Sequence, residues 1–239
     1  MSDRNDLARP FNTSYFKEYY SGYRDKIEDL FPSETYFLNS LVERSETILD
    51  VGCANGGMFE IINSINKEVQ YCGVDIAAEL IDIAKKKYPK VDFRKEDGIS
   101  LSFEDNSFDS VISFGTTVHD QDYKNLITEC YRISRRGLLF DMRLVPLLPS
   151  LNDISKGYVI DDSGPKYAYN IANATEFLTF LKGLNPRPAK ISIYGYWGSA
   201  NEFTHLPQGY EKLCMCGIFL EKDIESTQTT IGIEVPFEF

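Results

Sequence analysis

The chain of 239 residues predicts an α/β fold, a doubly wound, mostly parallel sheet with helices on both faces. Three observations predict it. Short apolar runs recur along the first 143 residues, amphipathic stretches separate them, and the first run breaks into a glycine-spaced turn before its helix. Strands are expected near 46–51, 69–75, 90–94, 108–114 and 136–142, with helices near 57–65, 77–88 and 122–134 between them.

Helical segments over about 13–42 come first. They are rich in aromatics, with Tyr15, Phe16, Tyr19, Tyr20 and Tyr23 on more than one helical face, whereas a purely core-facing helix would concentrate them. The stretch Thr47 to Gly57, TILDVGCANGG, carries the most information. Ile48, Leu49 and Val51 read as a buried strand; Met58, Phe59, Ile61 and Ile62 read as one face of the following helix. Gly52, Gly56 and Gly57 allow a ligand to lie against main-chain amides and the helix N-terminus, a place that suits a carboxylate or a phosphate. The spacing Gly52-x-Ala54-x-x-Gly57 also fits a loose dinucleotide fingerprint. Asp50, at the strand tip, argues against a diphosphate and for a cation or an ammonium or hydroxyl donor.

The second run, Val69 to Asp75, ends in a carboxylate at the spacing where nucleotide-binding folds hold ribose hydroxyls. Asp75 can equally cap the helix over 77–88. That helix ends in Lys85, Lys86 and Lys87, cations that complement the dipole and face water. After Arg143 the periodicity stops. Residues 144–172, broken by Pro146, Pro149, Gly157, Gly164 and Pro165, read as an irregular insertion that forms a lid over the substrate. A helix from Ala174 to Leu184 and two strands, Lys190 to Trp197 and Glu211 to Glu221, follow. The tail from Thr229 to Phe239 can pair with another sheet edge or with a second subunit, so a homodimer stays open.

A formal charge of −11 and a pI near 4.7 disfavour nucleic-acid partners. The chain shows no signal-peptide pattern and no apolar run of the ~18 residues needed to cross a bilayer, so no membrane partner is expected and the cytoplasm is the expected location. Five cysteines form no zinc or disulfide framework, and no metal is expected. Asn173-Ala-Thr reads as a helix cap and Asn12-Thr-Ser as a loop.

Between Val91 and Gly115 the motifs become specific. Asp50-x-Gly52-x-Ala54-x-Gly56, the acidic strand end Asp75, the turn Glu96-Asp97-Gly98, and then Leu101-x-Phe103-x-Asp105-x-Ser107-Phe108-Asp109 follow in order. This series, over roughly residues 46–143, resembles the class I S-adenosylmethionine-dependent methyltransferases. Ala54 stands where a middle glycine is common in that family, and Glu96-Asp97-Gly98 where Gly-Asp-Ala is frequent. The resemblance implies a Rossmann-like sheet of seven strands, completed by an antiparallel C-terminal pair. It divides a single domain into an N-terminal helical cap (1–45), a cofactor-binding core (46–143), the lid insertion (144–172) and a C-terminal helix and strand pair (173–239). It implies S-adenosyl-L-methionine as cofactor: the loop Gly52, Cys53, Ala54 and Gly56 with Asp50 at the methionine part, Asp75 and Ile76 at the ribose, Asp97 and Gly98 at the adenine, and Phe114 beside them. In that family a leading helix often folds over the cofactor, which points to Tyr15 or Tyr19, whose aromatic faces suit a sulfonium.

His119 lies just beyond the fourth strand, where this fold places ligands, as a general base or as a loop-bonded histidine. Asp141 and Arg143 emerge from the fifth strand beside the same pocket, to orient a substrate or to pair with each other. The role of His205 is open. Tyr158, Tyr167 and Tyr169 in the lid suit a sugar-like or other small polar metabolite. Three functions therefore stand: methyl transfer to an O or N atom of a small-molecule acceptor, nicotinamide- or flavin-dependent oxidoreduction on the same turn, or cofactor binding without chemistry.

Overall fold

The computed structural model describes residues 10, 11, 13, 18, 24–160, 164–223 and 225–238. Helix α1 (Pro32–Glu43) leads into strand β1 (Thr47–Val51), α2 (Gly57–Ile65), β2 (Gln70–Asp75), α3 (Ala78–Lys87) and β3 (Asp92–Lys95). Then come β4 (Phe108–Ser113), the short α4 (Thr116–His119), α5 (Tyr123–Ile133) and a long β5 (Ser134–Val145). Beyond these lie β6 (Tyr158–Val159), β7 (Tyr167–Ala168), β8 (Ala172–Asn173), α6 (Ala174–Lys182), β9 (Lys190–Gly198), β10 (Thr204–His205), β11 (Leu213–Glu221) and β12 (Thr230–Glu234).

The main sheet runs β12-β9-β11-β5-β4-β1-β2-β3, with β8 beside the end of β5. The pairs of β1 with β2 and β4, of β2 with β3 and of β4 with β5 are parallel. The C-terminal pair β9 and β11 is antiparallel, and β11 alone runs against its neighbours on both sides. The tail pairs within the chain: β12 adds a parallel edge to β9, from Thr230 opposite Lys190 to Glu234 opposite Tyr194. The insertion after β5 carries short strands despite its prolines and glycines, and β6, β7 and β10 make a separate three-stranded sheet.

Adjacent apolar residues on the strands fill two cores because successive side chains point to opposite faces. Leu49, Val111 and Leu138 pack with Tyr123, Leu126 and Phe177 from α5 and α6. Their neighbours Ile48, Ile112 and Leu139 pack with Leu38, Leu41, Ile62 and Ile81 from α1, α2 and α3. Helix α1 sits close to β11 because Gly217 has no side chain; a Cβ there would collide with the Ser33 carbonyl. A third cluster, including Val145, Val159, Tyr169 and Met215, joins the small sheet to the strand ends of the main one.

At the opposite, N-terminal edge of the strands the buried Asp109 ties β1, β4 and β5 together. Its carboxylate accepts from the amides of Glu46 (2.9 Å) and Thr47 (3.2 Å) and from Arg135, while its own amide donates to Thr47 Oγ1 at 2.8 Å. Burial would raise this carboxyl, but Arg135 and the two amides hold it below its usual range. Asp109→Ala is expected to cost ~3 kcal/mol, since it strands two amides and breaks an ion pair. Thermal unfolding should show the loss, and ligand binding by the folded fraction should not change, because the residue lies far from the cavity.

Candidate active site

The polar groups at the C-terminal ends of β1, β2, β4 and β5 open into one cavity of about 520 Å³. This is where a doubly wound sheet leaves its crevice. The turn after β1 forms the first wall. Gly52 and Gly56 take φ of 85° and 82°, left-handed values that glycine adopts without strain. The amides of Gly52 and Cys53 both donate to the Val74 carbonyl (2.8 and 3.0 Å), which seats the turn on the end of β2. A Cβ on Gly52 would land on the hydroxyl of Thr116, so the turn is packed against the floor of the cavity, and α4 and the glycine loop hold each other.

Asp75 braces this loop. Its Oδ2 accepts the Ala54 amide at 2.9 Å and its Oδ1 the Ala77 amide at 2.8 Å, joining the glycine turn to the start of α3. Each carboxylate oxygen has two acceptor sites, so both oxygens keep capacity for a ligand hydroxyl. Burial raises its pKa and the amides oppose the rise. The N-cap of α3 is Ala77, with no side-chain cap bond, so Asp75 braces the turn ahead of the helix and does not cap it, while its remaining acceptor capacity suits the ligand-group reading made from sequence.

Asp50, almost fully buried, accepts from Tyr71 Oη at 2.6 Å. It stands in register with Gly73, two residues beyond Tyr71 on β2. Burial pushes its carboxyl up to about 7, against the Tyr71 bond and the Arg24 charge. In the next turn Glu96 is engaged by the amide and hydroxyl of Ser102, while Asp97 accepts weakly from the Ile99 amide (3.3 Å) and lines the cavity with Gly98 and Ile76.

The far side of the cavity carries the polar residues of β5. Asp141 Oδ1 accepts the Gly115 amide at 2.6 Å, and its Oδ2 pairs with Arg143 Nη1 at 2.8 Å. Burial opposes the Arg143 charge, but Asp141 and Tyr169 hold its pKa above the usual value. Asp141 and Arg143 therefore pair with each other, and both line the cavity. His119 turns Nδ1 to the Ala168 carbonyl at 2.8 Å. A carbonyl can only accept, so Nδ1 is assigned the proton, and in the neutral ring Nε2 is then the acceptor. Tyr167 and Tyr169 stand around it at centroid distances of 5.0 and 6.0 Å.

The cavity brings together Asp50, Gly52, Cys53, Ala54, Asp75, Ile76, Asp97, Gly98, Phe114, His119, Asp141 and Arg143, residues taken from all the motifs. Gly56, the residue before α2, turns away, and a Cβ there would meet the rings of Phe93 and Tyr88. Tyr15 and Tyr19 lie outside the described residues. Tyr158 stacks on His205 (4.8 Å, 16°) where the central strand β6 of the small sheet pairs with its edge strand β10. Arg24, Glu34, Tyr71 and Asn170 were not legible from sequence. Arg24 pairs with Glu34 at 2.8 Å and lies over the Phe114 ring, a contact that exists only because α1 folds onto β11.

Residues 49–140 match the methyltransferase domain family. Residues 49–140 are thus a class I S-adenosylmethionine-dependent methyltransferase domain. An uncharacterized methyltransferase of Schizosaccharomyces pombe is 32% identical over 121 residues, which covers 49% of this chain and 47% of that protein. The demethylmenaquinone methyltransferase of Thermotoga maritima is 27% identical over 103 residues, 42% of this chain and 44% of that protein. In both cases the chain spans less than half of the relative's length. Among solved structures, a methyltransferase from Methanosarcina mazei has a TM-score of 0.57 at 19% identity, covering 82% of this chain and 99% of that one. The cyclase SpnF has a TM-score of 0.51 at 17% identity, covering 78% and 80%. These likenesses are of fold. For the methyltransferase domain, the match decides between the two readings of the glycine turn and removes the dinucleotide one. Among the described residues no helix is long and apolar enough to cross a membrane.

The folded pKa of Asp50 stands above its unfolded value, so the native state of the methyltransferase domain holds an extra proton. Asp50 therefore costs stability as pH rises from about 4 to about 7, and above 7 the cost is complete. The stability difference between Asp50→Asn and wild type is expected to shift in favour of the variant by ~2–3 kcal/mol between pH 5 and pH 8. Denaturant unfolding at the two pH values measures it, and a difference that does not change with pH would refute the assignment.

Proposed function

We propose that this protein transfers a methyl group from S-adenosyl-L-methionine to an O or N atom of a small polar acceptor. The observation that carries the reading is the continuity of the cavity. It runs from the glycine turn and the acidic ends of β1 and β2, past His119, to walls contributed by Val159, Tyr167 and Thr204 of the small sheet. At about 520 Å³ it falls within the ~300–1,000 Å³ typical of small-molecule sites, and an acceptor that shares it with a nucleoside cofactor must itself be small.

The chain fits that cofactor. The turn from Gly52 lines the cavity with backbone that a bulkier residue would displace, Asp75 keeps acceptor capacity for ribose hydroxyls, and Asp97, which lines the same cavity, is the group we assign to the adenine amino group. Asp50 would face the amino acid part, where an ammonium would favour its ionised form. Bound there, S-adenosylmethionine supplies an electrophilic methyl group on a sulfonium sulfur. The chain's residues align the acceptor with it, and well-oriented partners reach effective molarities of ~10⁵ M or more. A hydroxyl acceptor has a proton to lose, and Nε2 of His119 is the group we assign to take it. Asp141, held by Gly115 and Arg143, keeps the loop beneath the acceptor in place. The small sheet serves as the lid, and Tyr167 and Tyr169 suit the stacking and hydroxyl contacts of a sugar-like or similar metabolite.

Turnover of a metabolite panel with labelled donor tests the reading, and labelling confined to protein or RNA would overturn its choice of acceptor. Gly52→Val should abolish cofactor binding in calorimetry, through its collision with Thr116 and its strained φ; near-normal affinity would remove the loop from the site. With a hydroxyl acceptor, His119→Ala should lower kcat by ~10²–10⁴ and flatten the acidic limb of the pH–rate profile, with cofactor affinity little changed.

A further inference from the structure

We infer that Asn170 is a positioning residue that sets both the place and the tautomer of His119. The inference deepens the proposed function, since it rests on His119 acting as the base.

His119 ends α4, a helix of only four residues. A helix so short leaves most of its carbonyls without helical partners. Asn170, fully buried in the segment after β7, satisfies three carbonyls of this turn. Its amide donates to Val118 O at 2.7 Å, and its side-chain Nδ2 donates to Thr117 O at 3.0 Å and Asp120 O at 2.6 Å. With two carbonyl oxygens facing the side-chain nitrogen, the amide orientation is set, because the flipped form would oppose oxygen to oxygen.

Two residues earlier, Ala168 presents the carbonyl that takes the Nδ1 proton of His119. A free imidazole side chain favours the tautomer protonated at Nε2. The contact with Ala168 imposes the other one, which places the basic lone pair on Nε2. Tyr167 and Tyr169 alternate with these residues and line the cavity. One four-residue stretch therefore supplies cavity wall from its odd positions and holds the histidine turn from its even ones. The stretch is anchored in turn by Tyr169 N to Gly157 O (3.1 Å) and by the reciprocal bonds of Ile171 with Leu151 (2.7 and 2.9 Å). Without the Asn170 side chain this stretch keeps only the Asn170 amide on Val118 O, the Thr117 carbonyl loses its bond to it and Asp120 O is left to the Tyr123 amide (3.0 Å), so the Ala168 carbonyl loses its register with Nδ1.

The chain has two histidines, so ring ¹⁵N spectra of the full-length protein are readily assigned with a His205→Gln variant. Wild-type His119 is expected to show the Nδ1–H pattern at pH 8. Asn170→Ala and the isosteric Asn170→Asp should each shift the majority to Nε2–H, and kcat should fall at least roughly tenfold with cofactor KM little changed. A predominantly Nε2–H ring in the wild type overturns the inference, and that measurement needs no variant to fold. An Nδ1–H ring retained in folded Asn170→Ala and Asn170→Asp overturns it as well. If instead the tautomer moves as expected while His119→Ala keeps its turnover and pH profile, the clamp stands and the role of His119 as base falls.

Discussion

Carboxylates at the tips of parallel strands are buried on one side and open to a cavity on the other, and each needs partners before any ligand arrives. An unpaired buried charge costs several kcal/mol, so the surrounding backbone must supply donors. Asp75 takes the amides of Ala54 and Ala77, Asp141 takes that of Gly115, and Asp50 takes the Tyr71 hydroxyl. In meeting this requirement, the two strand-tip aspartates that take amides fix the loops that shape the cavity. The glycine turn after β1 is held by Asp75, and the turn before α4 by Asp141. The shape of the cavity is in this sense a consequence of satisfying the strand ends.

The same constraint explains why the cavity walls are coupled. Thr116 packs under Gly52, the Thr117 hydroxyl donates to the Asp141 carbonyl, and Asn170 clasps the carbonyls of the same short helix. Four chain segments distant in sequence therefore meet at residues 115–120. The methyltransferase core contributes the floor, and the insertion between β5 and α6 contributes the roof. Because the fold hosts several chemistries, the cavity wall built by the inserted segments is where this chain's individuality lies. The contrast between an acidic end of the cavity and an aromatic-walled far end follows from this division, since the first belongs to strand tips and the second to inserted segments.

Most of the core was legible in the sequence for simple reasons. Runs such as Ile48-Leu49 and Leu138-Leu139-Phe140 face helices on both sides of the sheet, so they are continuously apolar and stand out as buried strands. The acidic residue after each run and the glycines after the first are local features, and they led directly to Asp50, Gly52, Asp75 and Asp97. Lys85 to Lys87 and the cap Asn173, which accepts from the amides of Thr175 and Glu176, were equally local. The insertion was less legible. Its strands are two residues long, too short to show a period, and they exist because β6, β7 and β10 pair across some forty residues of chain.

The sequence by itself determined the alternation of strands and helices, the glycine turn and the series of acidic strand ends, because those depend on residues adjacent in the chain. Only the tertiary structure decided that Asp141 pairs with Arg143, that Tyr71 serves Asp50, that β12 returns to β9, and that Ala168 and Asn170 hold His119. Each of these joins groups separated by a strand, a helix or more, or, for Asp141 and Arg143, resolves a choice that spacing left open. Hydrogen-bond partners of buried polar groups are chosen by proximity in the folded chain, and no local pattern encodes that proximity.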